Sequence, residues 1–324
     1  MKRKTYFTII SLILVAIFVT LGVFIAQTKA TRRSIEVTFI VKSQQKGFEF
    51  WELVCKGAQE AAKEFNVDLT IDGPMTEEDT QGQINIVERA INTKPDVIIL
   101  AAVDQEKLLP AAKEIKKQGI KLIVVDSNLS EKVENCFVGT DNYSAAQGVG
   151  DAMGKAMDGK GTIAVIAHQK NTSTSVQRIQ GFQYAIKNFP DIRILGPYDI
   201  GDSVEKSRET TLQVLAENPD ITGIFATNQI SAEGVTQALK EAGKNNIKFF
   251  AFDSSTVQNA ALENGIVDGF AVQKPFNMGY MGVKAAVEAY TGTLRKTNID
   301  TGFEFATKEN MREEKIQKLL YPFV

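Results

Sequence analysis

Short runs of β-branched and aromatic residues alternate along the chain with longer stretches whose apolar positions recur every three or four residues. The short runs are apolar at consecutive positions, which indicates strands buried on both faces of a sheet. The pattern predicts strands at Glu36–Val41, Val67–Ile71, Val97–Ala101, Lys121–Val125, Thr162–Ala167, Ile192–Leu195, Thr222–Ala226 and Ile247–Phe252.

The longer stretches have the period of an amphipathic helix. Helices are predicted at Phe50–Phe65, Glu77–Ile91, Gln105–Gln118, Ser173–Phe189, Val204–Glu217 and Ala232–Ala242. Strands that alternate with helices form parallel sheets joined by right-handed crossovers. Because the alternation comes in two series of modest size, we predict an α/β protein with two doubly wound parallel-sheet domains.

The first 33 residues form a separate segment. Three basic residues at positions 2–4 precede an uncharged run at 5–28, which as a helix of about 24 residues would cross a bilayer core of about 30 Å. The basic cluster favours a cytoplasmic start and places the C-terminal body outside the cytoplasm. We therefore predict a transmembrane anchor at 1–33 and a location in the cell membrane. The alternative is a cleaved signal peptide, although Thr28-Lys29-Ala30 is a poor cleavage site.

Composition narrows the classes of function. The net charge of -2 argues against nucleic acid as a partner, because phosphate binding needs an excess of Lys and Arg. With a single His, neither a His-based metal site nor a catalytic triad is easily built. The sequence contains no GxGxxG after a strand and no GxxxxGK[ST] loop, so we expect no metal and no cofactor.

Polar side chains follow the predicted strands. In open parallel sheets, ligands bind beyond the carboxyl ends of the strands. Aromatic rings cover the C–H faces of a sugar, while carboxylates and amides bind its hydroxyl groups. This combination predicts a sugar site between the domains, formed by Phe50, Trp51, Asp126, Asn228, Asp253 and Gln273. Core packing is the alternative for the two aromatic residues, and helix capping is the alternative for the aspartates.

Two further residues lie at strand ends, and each has two candidate roles. Lys42 follows the first strand and either lines the cleft or is solvated. His168 follows Thr162–Ala167, and no nucleophile is paired with it in the sequence, so we expect it to line the cleft or support the structure.

From Glu36 to Lys308 the chain resembles the periplasmic sugar-binding proteins of the ribose-binding type, in a membrane-anchored form. Six segments carry most of the resemblance: FEFWELVCKGAQEAAKEF, LIVVDSN, RIQGFQYAI, IFATNQISAEGVTQAL, FFAFDSS and GFAVQKPFNMGYMGVKAA. The resemblance implies that the ligand is gripped by the same six residues that the strand ends predict.

The chain also departs from the ribose-binding pattern. Ser127 stands where the ribose binder has an Arg, and a second family Arg falls at Val176. We expect Ser127 to contact the ligand. The neighbouring Arg178 is expected to be structural, with a ligand contact as the alternative. The missing guanidinium groups leave ribose, another pentose such as xylose, or a small polyol as candidate ligands.

The resemblance further implies lobes at 34–140 plus 274–302 and at 141–273 plus 303–324, with a hinge of three chain crossings. Sugar binding would close the hinge, and a membrane partner would recognise the closed form. That partner is an ABC permease in transport or, alternatively, a sensor histidine kinase in a two-component system. A repressor would need a helix-turn-helix where the apolar run stands. An enzyme that used Asp126 and Asp253 as an acid/base pair is a minor alternative.

Overall fold

The computed structural model describes Thr20 and residues 33–244 and 246–322. Its strands are β1 (Ile35–Ile40), β2 (Val67–Asp72), β3 (Val97–Leu100), β4 (Lys121–Val125), β5 (Cys136–Gly139), β6 (Lys160–Ala167), β7 (Asp191–Asp199), β8 (Ile221–Ala226), β9 (Lys248–Phe252), β10 (Gly269–Gln273), β11 (Asn298–Asp300) and β12 (Phe303–Thr307). Its helices are α1 (Glu49–Phe65), α2 (Thr80–Thr93), α3 (Leu109–Lys117), α4 (Asn142–Ala156), α5 (Ser173–Ile186), α6 (Val204–Glu217), α7 (Gln229–Ala242), α8 (Thr256–Glu263), α9 (Pro275–Thr291) and α10 (Glu314–Leu320).

The described strands form two sheets with related topology. The order is β11-β5-β4-β3-β1-β2 in sheet 1 and β12-β10-β9-β8-β6-β7 in sheet 2. The pairings β1–β3, β3–β4 and β4–β5 are parallel in sheet 1, as are β6–β8, β8–β9 and β9–β10 in sheet 2. Strand order reverses beside β1 and beside β6, which is where open α/β sheets bind ligands. The predicted two-domain α/β class is confirmed.

Each sheet has its own apolar core. In sheet 1 the strand β3 is fully buried, and Ile98, Leu100 and Val124 pack against α2 and α3. In sheet 2, Phe182 of α5 stacks on Phe225 of β8 at 4.2 Å between ring centroids. These consecutive apolar positions are buried because helices cover both faces of each sheet.

The chain passes between the sheets after β5, after β10 and between β11 and β12. The antiparallel pairing of β12 with β10 ties the last crossing to sheet 2, while β11 pairs with β5 in sheet 1. We therefore propose the predicted division into lobe 1 (34–140 and 274–302) and lobe 2 (141–273 and 303–322), the latter shown to the end of the described residues.

Several predicted elements have different bounds. The helix predicted from Glu77 begins at Thr80, because Asp79 caps it by accepting the N–H of Gly82. The helix predicted from Gln105 begins at Leu109, because Asp104 holds the preceding turn through the N–H groups of residues 106 and 107. Elements without a predicted counterpart include the short strands β5, β11 and β12, which span only three to five residues.

The anchor predicted at residues 1–33 lies outside the described residues except for Thr20 and Arg33. Among the described residues, no helix combines the length and the apolar character needed to cross a membrane.

Candidate functional site

A narrow cavity lies between the two lobes. Strand ends from both sheets and the start of α1 supply its wall. The lining residues are Lys42, Phe48, Phe50, Trp51, Glu77, Asp126, His168, Thr174, Arg178, Asn228, Asp253 and Gln273. The structure thus brings together nine of the ten residues predicted for the site.

The two aspartates occupy equivalent positions in the two lobes. Asp126 follows β4 and Asp253 follows β9, and both adopt left-handed backbone conformations, with φ of 63° and 68°. This region costs most residues about 1–2 kcal/mol, but Asp and Asn tolerate it better than other side chains. A pair of strained aspartates at matching strand ends is typical of a functional site.

Lys42 is buried beside two carboxylates rather than solvated. Its Nζ lies 3.1 Å from Asp126 Oδ2 and 3.3 Å from Glu77 Oε2. Burial alone would lower the pKa of Lys42, but the carboxylates of Asp126 and Glu77 outweigh it and hold that pKa above its ordinary value. Lys42 is therefore a protonated donor on the lobe 1 side of the cavity.

Asp253 is the corresponding charged residue on the lobe 2 side of the cavity. Its Oδ1 accepts a bond from Gln273 Nε2 at 2.6 Å, and its Oδ2 lies 3.4 Å from Nη1 of Arg178. Arg178 also donates through Nε to Asn142 Oδ1 at 2.8 Å, and its guanidinium lies 4.3 Å from the Phe252 ring centroid. Arg178 therefore holds Asp253 in place and also lines the cavity.

The side-chain oxygen of Gln273 is a hydrogen-bond acceptor without a donor among the described residues. Its Nε2 is used by Asp253, whereas its buried Oε1 has no partner among the described residues. Most buried polar atoms in native proteins are paired, so an unpaired oxygen on a cavity wall indicates a missing donor. A sugar hydroxyl group is such a donor.

The aromatic residues of α1 close one side of the cavity. The rings of Phe50 and Trp51 meet edge to face, with 5.1 Å between their centroids. Trp51 Nε1 donates to Glu77 Oε1 at 2.8 Å, which fixes the orientation of the indole ring. Both rings are almost fully buried. They pack in the core and also line the cavity.

His168 is a neutral wall residue. Its Nδ1 lies 2.7 Å from the hydroxyl of Thr227, and its Nε2 lies 3.2 Å from the hydroxyl of Thr174. Burial, followed by the charges of Arg178 and Lys42, holds the pKa of His168 well below its ordinary value. A neutral imidazole held in place by two hydroxyl groups gives the cavity wall a fixed polar side chain and adds no charge.

Asn228 and Ser127 differ from the other predicted residues. Asn228 lines the cavity, but its Oδ1 caps α7 by accepting the N–H of Ser231. Ser127 lies behind the wall, where its hydroxyl donates to Asp126 Oδ2 at 2.9 Å. Ser127 therefore positions Asp126, and its predicted ligand contact stays a prediction.

Three lining residues were not predicted for the site: Phe48, Glu77 and Thr174. Glu77 was assigned to a helix, but it lies in the β2–α2 loop and is only 3% exposed. One feature could have pointed to Glu77: it lies in the segment between β2 and α2, and β2 neighbours β1 in sheet 1.

The cavity wall carries two cations, Lys42 and Arg178, and three carboxylates, Glu77, Asp126 and Asp253. Every carboxylate has a hydrogen-bonding or ionic partner. In the described part of the chain, no group of three or more His, Cys, Asp or Glu side chains has an arrangement that would hold a metal ion. The wall is therefore suited to a neutral, hydroxyl-rich molecule.

The lobes touch each other around the cavity. The N–H of Phe50 donates to Gln229 Oε1 at 3.3 Å, and the N–H of Asn128 donates to Ser173 Oγ at 2.7 Å. The N–H of Thr256 donates to Glu49 Oε1 at 3.0 Å. The structure is therefore that of a closed form.

Comparisons with known proteins place this cleft in a family context. A family model described as a periplasmic binding protein domain matches residues 37–294. The D-ribose/D-allose-binding protein of Pseudomonas aeruginosa is 26% identical over 253 residues, which cover 75% of this chain and 79% of that protein.

Solved structures are similar over most of the chain. A carbohydrate transporter solute binding protein from Agrobacterium radiobacter, in complex with D-arabinose, has a TM-score of 0.85 and 29% identity and covers 90% of this chain and 100% of its own. An ABC transporter solute binding protein from Agrobacterium vitis with bound D-fucose has a TM-score of 0.85 and 32% identity, with coverage of 88% and 100%.

Proposed function

The chain belongs to the family of periplasmic binding proteins, as a sugar-binding member of type I, and we propose that it binds a monosaccharide, a pentose such as xylose or ribose, in the cavity between its lobes. It is a binding protein and not an enzyme, like its relatives in sugar transport. Its periplasmic binding protein domain lies outside the cytoplasm.

The observation that carries the proposal is the unpaired Oε1 of Gln273 in a cavity lined by the aromatic side chains of Phe48, Phe50 and Trp51 and by three carboxylates. Aromatic rings cover apolar faces of a sugar, and charged acceptors bind its hydroxyl groups. The named ligands of the relatives, D-ribose, D-allose, D-arabinose and D-fucose, support a pentose or a hexose of similar size.

Binding would be coupled to closure of the hinge. Wall residues come from both lobes, since Lys42 and Asp126 follow strands of sheet 1 whereas Asn228 and Asp253 follow strands of sheet 2. A sugar that contacts both lobes has higher affinity for the closed form and shifts the population towards it. A membrane permease of an ABC sugar transporter would then recognise the closed form.

The sensor histidine kinase remains the alternative partner. The relatives reported above are named for transport or for sugar binding, which supports the permease. Co-purification of the full-length chain from membranes distinguishes the two: a permease with its ATPase supports transport, whereas a histidine kinase overturns it in favour of sensing.

A thermal-shift screen tests the binding proposal. We expect at least one of D-ribose, D-xylose, D-arabinose, D-allose, D-fucose and xylitol to raise the melting temperature of the purified full-length chain by several degrees. A ligand at 1,000 times its Kd stabilises the native state by about 4 kcal/mol, and 1 kcal/mol corresponds to about 2–4 °C for a protein of 150–250 residues. If no sugar or polyol shifts the melting temperature, sugar binding is refuted.

The variant Asp253→Asn tests whether the thermal shift arises from sugar bound in this cavity. Asparagine tolerates the left-handed backbone at this position and keeps an acceptor oxygen, but it loses the charge. Hydrogen bonds to charged groups contribute about 1.5–3 kcal/mol, so we expect sugar affinity to fall about 10- to 100-fold.

Asp158→Asn is the matched control, because Asp158 is also left-handed, with φ of 53°, but lies exposed in the turn after α4. Sugar affinity should be unchanged in this control. Equal affinities of the two variants, measured by titration calorimetry, would remove Asp253 from the site.

A further inference from the structure

A second set of contacts between the lobes lies beside the sugar cavity. The N–H of Glu77, in the β2–α2 loop, donates to Asp202 Oδ2 at 2.9 Å. Asp202 lies in the β7–α6 loop of lobe 2, and its own N–H donates to Glu78 Oε1 at 3.3 Å. We call Glu77, Glu78 and Asp202 the acidic latch.

The acidic latch is connected directly to the sugar cavity. The side chain of Glu77 accepts bonds from Trp51 Nε1 and contacts Lys42 Nζ, both on the cavity wall. Its main-chain N–H binds Asp202 on the opposite lobe. Glu77 is therefore a positioning residue that links two sugar-facing side chains to the contact that closes the lobes.

Closure brings like charges together in a buried place. Asp202 is only 9% exposed and Glu77 only 3%, and Glu78 contacts the same loop. Lys42 is the cation that contacts Glu77, and Asp126 shares it. The charged residues that line the groove beside Glu78 are Asp104, Lys107, Lys170, Asp199 and Lys206. Three carboxylates thus meet where one shared, buried cation is available.

We propose that the acidic latch couples sugar-induced closure to the uptake of one proton by Asp202. In the open form the two loops separate, and Asp202 regains water and loses the neighbouring Glu77. In the closed form, a neutral Asp202 still accepts the N–H of Glu77 through its carbonyl oxygen and avoids the buried negative charge. The inference rests on the proposed sugar binding, because sugar drives the closure.

Electrostatics support the direction of the coupling. Burial, followed by the charge of Glu77, raises the pKa of Asp202 from 3.8 to about 7 in the closed form. A group whose pKa is higher in the closed form stabilises that form fully below the open-form pKa. This stabilisation is lost as the pH rises through the closed-form pKa. Sugar affinity should therefore increase as the pH falls from about 7 towards 4.

The experiment measures sugar affinity against pH for the full-length chain. The probe is D-ribose, D-xylose or D-arabinose, whichever gives the largest thermal shift, and the signal is the fluorescence of Trp51, the only tryptophan of the sequence. We expect affinity to rise at least about tenfold between pH 8 and pH 5. Calorimetry in two buffers of different ionisation enthalpy should show close to one proton taken up per sugar near pH 5.5.

Asp202→Asn separates the titration from the hydrogen bond. Its amide oxygen still accepts the N–H of Glu77, but it cannot titrate. We expect an affinity that is independent of pH and that at pH 8 matches the affinity of the unmodified chain at pH 5. Asp199→Asn, which removes a charge at the end of β7 just before that loop, should retain the pH dependence.

The possible results separate the two proposals. A pH-independent affinity in the unmodified chain, or an unchanged pH dependence in Asp202→Asn, overturns the latch while leaving sugar binding intact. Absence of sugar binding at every pH overturns the proposed function itself.

Discussion

Replacing Lys42 by methionine is expected to lower the free energy of unfolding by about 3–5 kcal/mol at pH 7.5, because breaking a buried ion pair from one side leaves an uncompensated charge. Lys42 lies within 3.3 Å of both Glu77 and Asp126, and all three side chains are buried. Methionine fills similar space but donates no hydrogen bond. The two carboxylates would then be left without their shared cation.

The same substitution should weaken sugar binding by at least about tenfold, since a charged donor contributes about 1.5–3 kcal/mol. Lys121→Met is the matched control, because Lys121 is exposed at the start of β4. It should change stability by no more than about 0.5 kcal/mol. Urea unfolding at pH 7.5 and sugar titration measure both effects.

In Lys42→Met, a stability loss below about 1 kcal/mol at pH 7.5 would show that Lys42 is not the cation that compensates the two acids.

Much of the site was predictable because parallel topology brings the carboxyl ends of strands to one edge. Asp126, Asp253 and Gln273 each end an apolar run, so their position in the cleft follows from the strand pattern alone. The strands themselves were recognisable because they are buried on both faces and apolar throughout.

The residues that were not predicted depend on contacts between distant segments. Glu77 is buried because the Asp202 loop of the other lobe covers it, and no local pattern reports that contact. For Ser127, by contrast, the sequence predicts a ligand contact, whereas in the structure its hydroxyl donates to the adjacent carboxylate of Asp126. The hinge strands β5 and β11 were missed because their sequences, CFVG and NID, contain too few consecutive β-branched residues to indicate a buried strand.

The largest loss of stability from a single added methyl group is expected at Gly279. A Cβ built on Gly279 of α9 would overlap the main-chain oxygen of Val54 in α1, and one built on Gly57 of α1 would overlap the main-chain oxygen of Phe276. Neither obstacle is a flexible side-chain end, so the two helices must separate. We expect Gly279→Ala to lower the free energy of unfolding by about 3 kcal/mol, at the upper end of the usual overpacking costs.

The helix spacing that Gly279 permits also determines the geometry of the cavity. Helix α1 carries Phe50 and Trp51, and α9 begins directly after the hinge crossing at Gln273 and Lys274. Forcing the helices apart would move the aromatic wall relative to Gln273. Sugar affinity should therefore fall in Gly279→Ala even at temperatures where the variant is folded, as judged by its circular dichroism.

Gly148→Ala is the control for this prediction. Gly148 lies in the interior of α4, and a Cβ there meets no atom within 4 Å. Because alanine favours helix over glycine by about 1 kcal/mol, this variant should be as stable as the unmodified chain or slightly more stable, with unchanged sugar affinity. If Gly279→Ala instead unfolds at the same urea concentration as Gly148→Ala, the α1–α9 contact tolerates a methyl group. Close helix approach would then not be what positions Trp51.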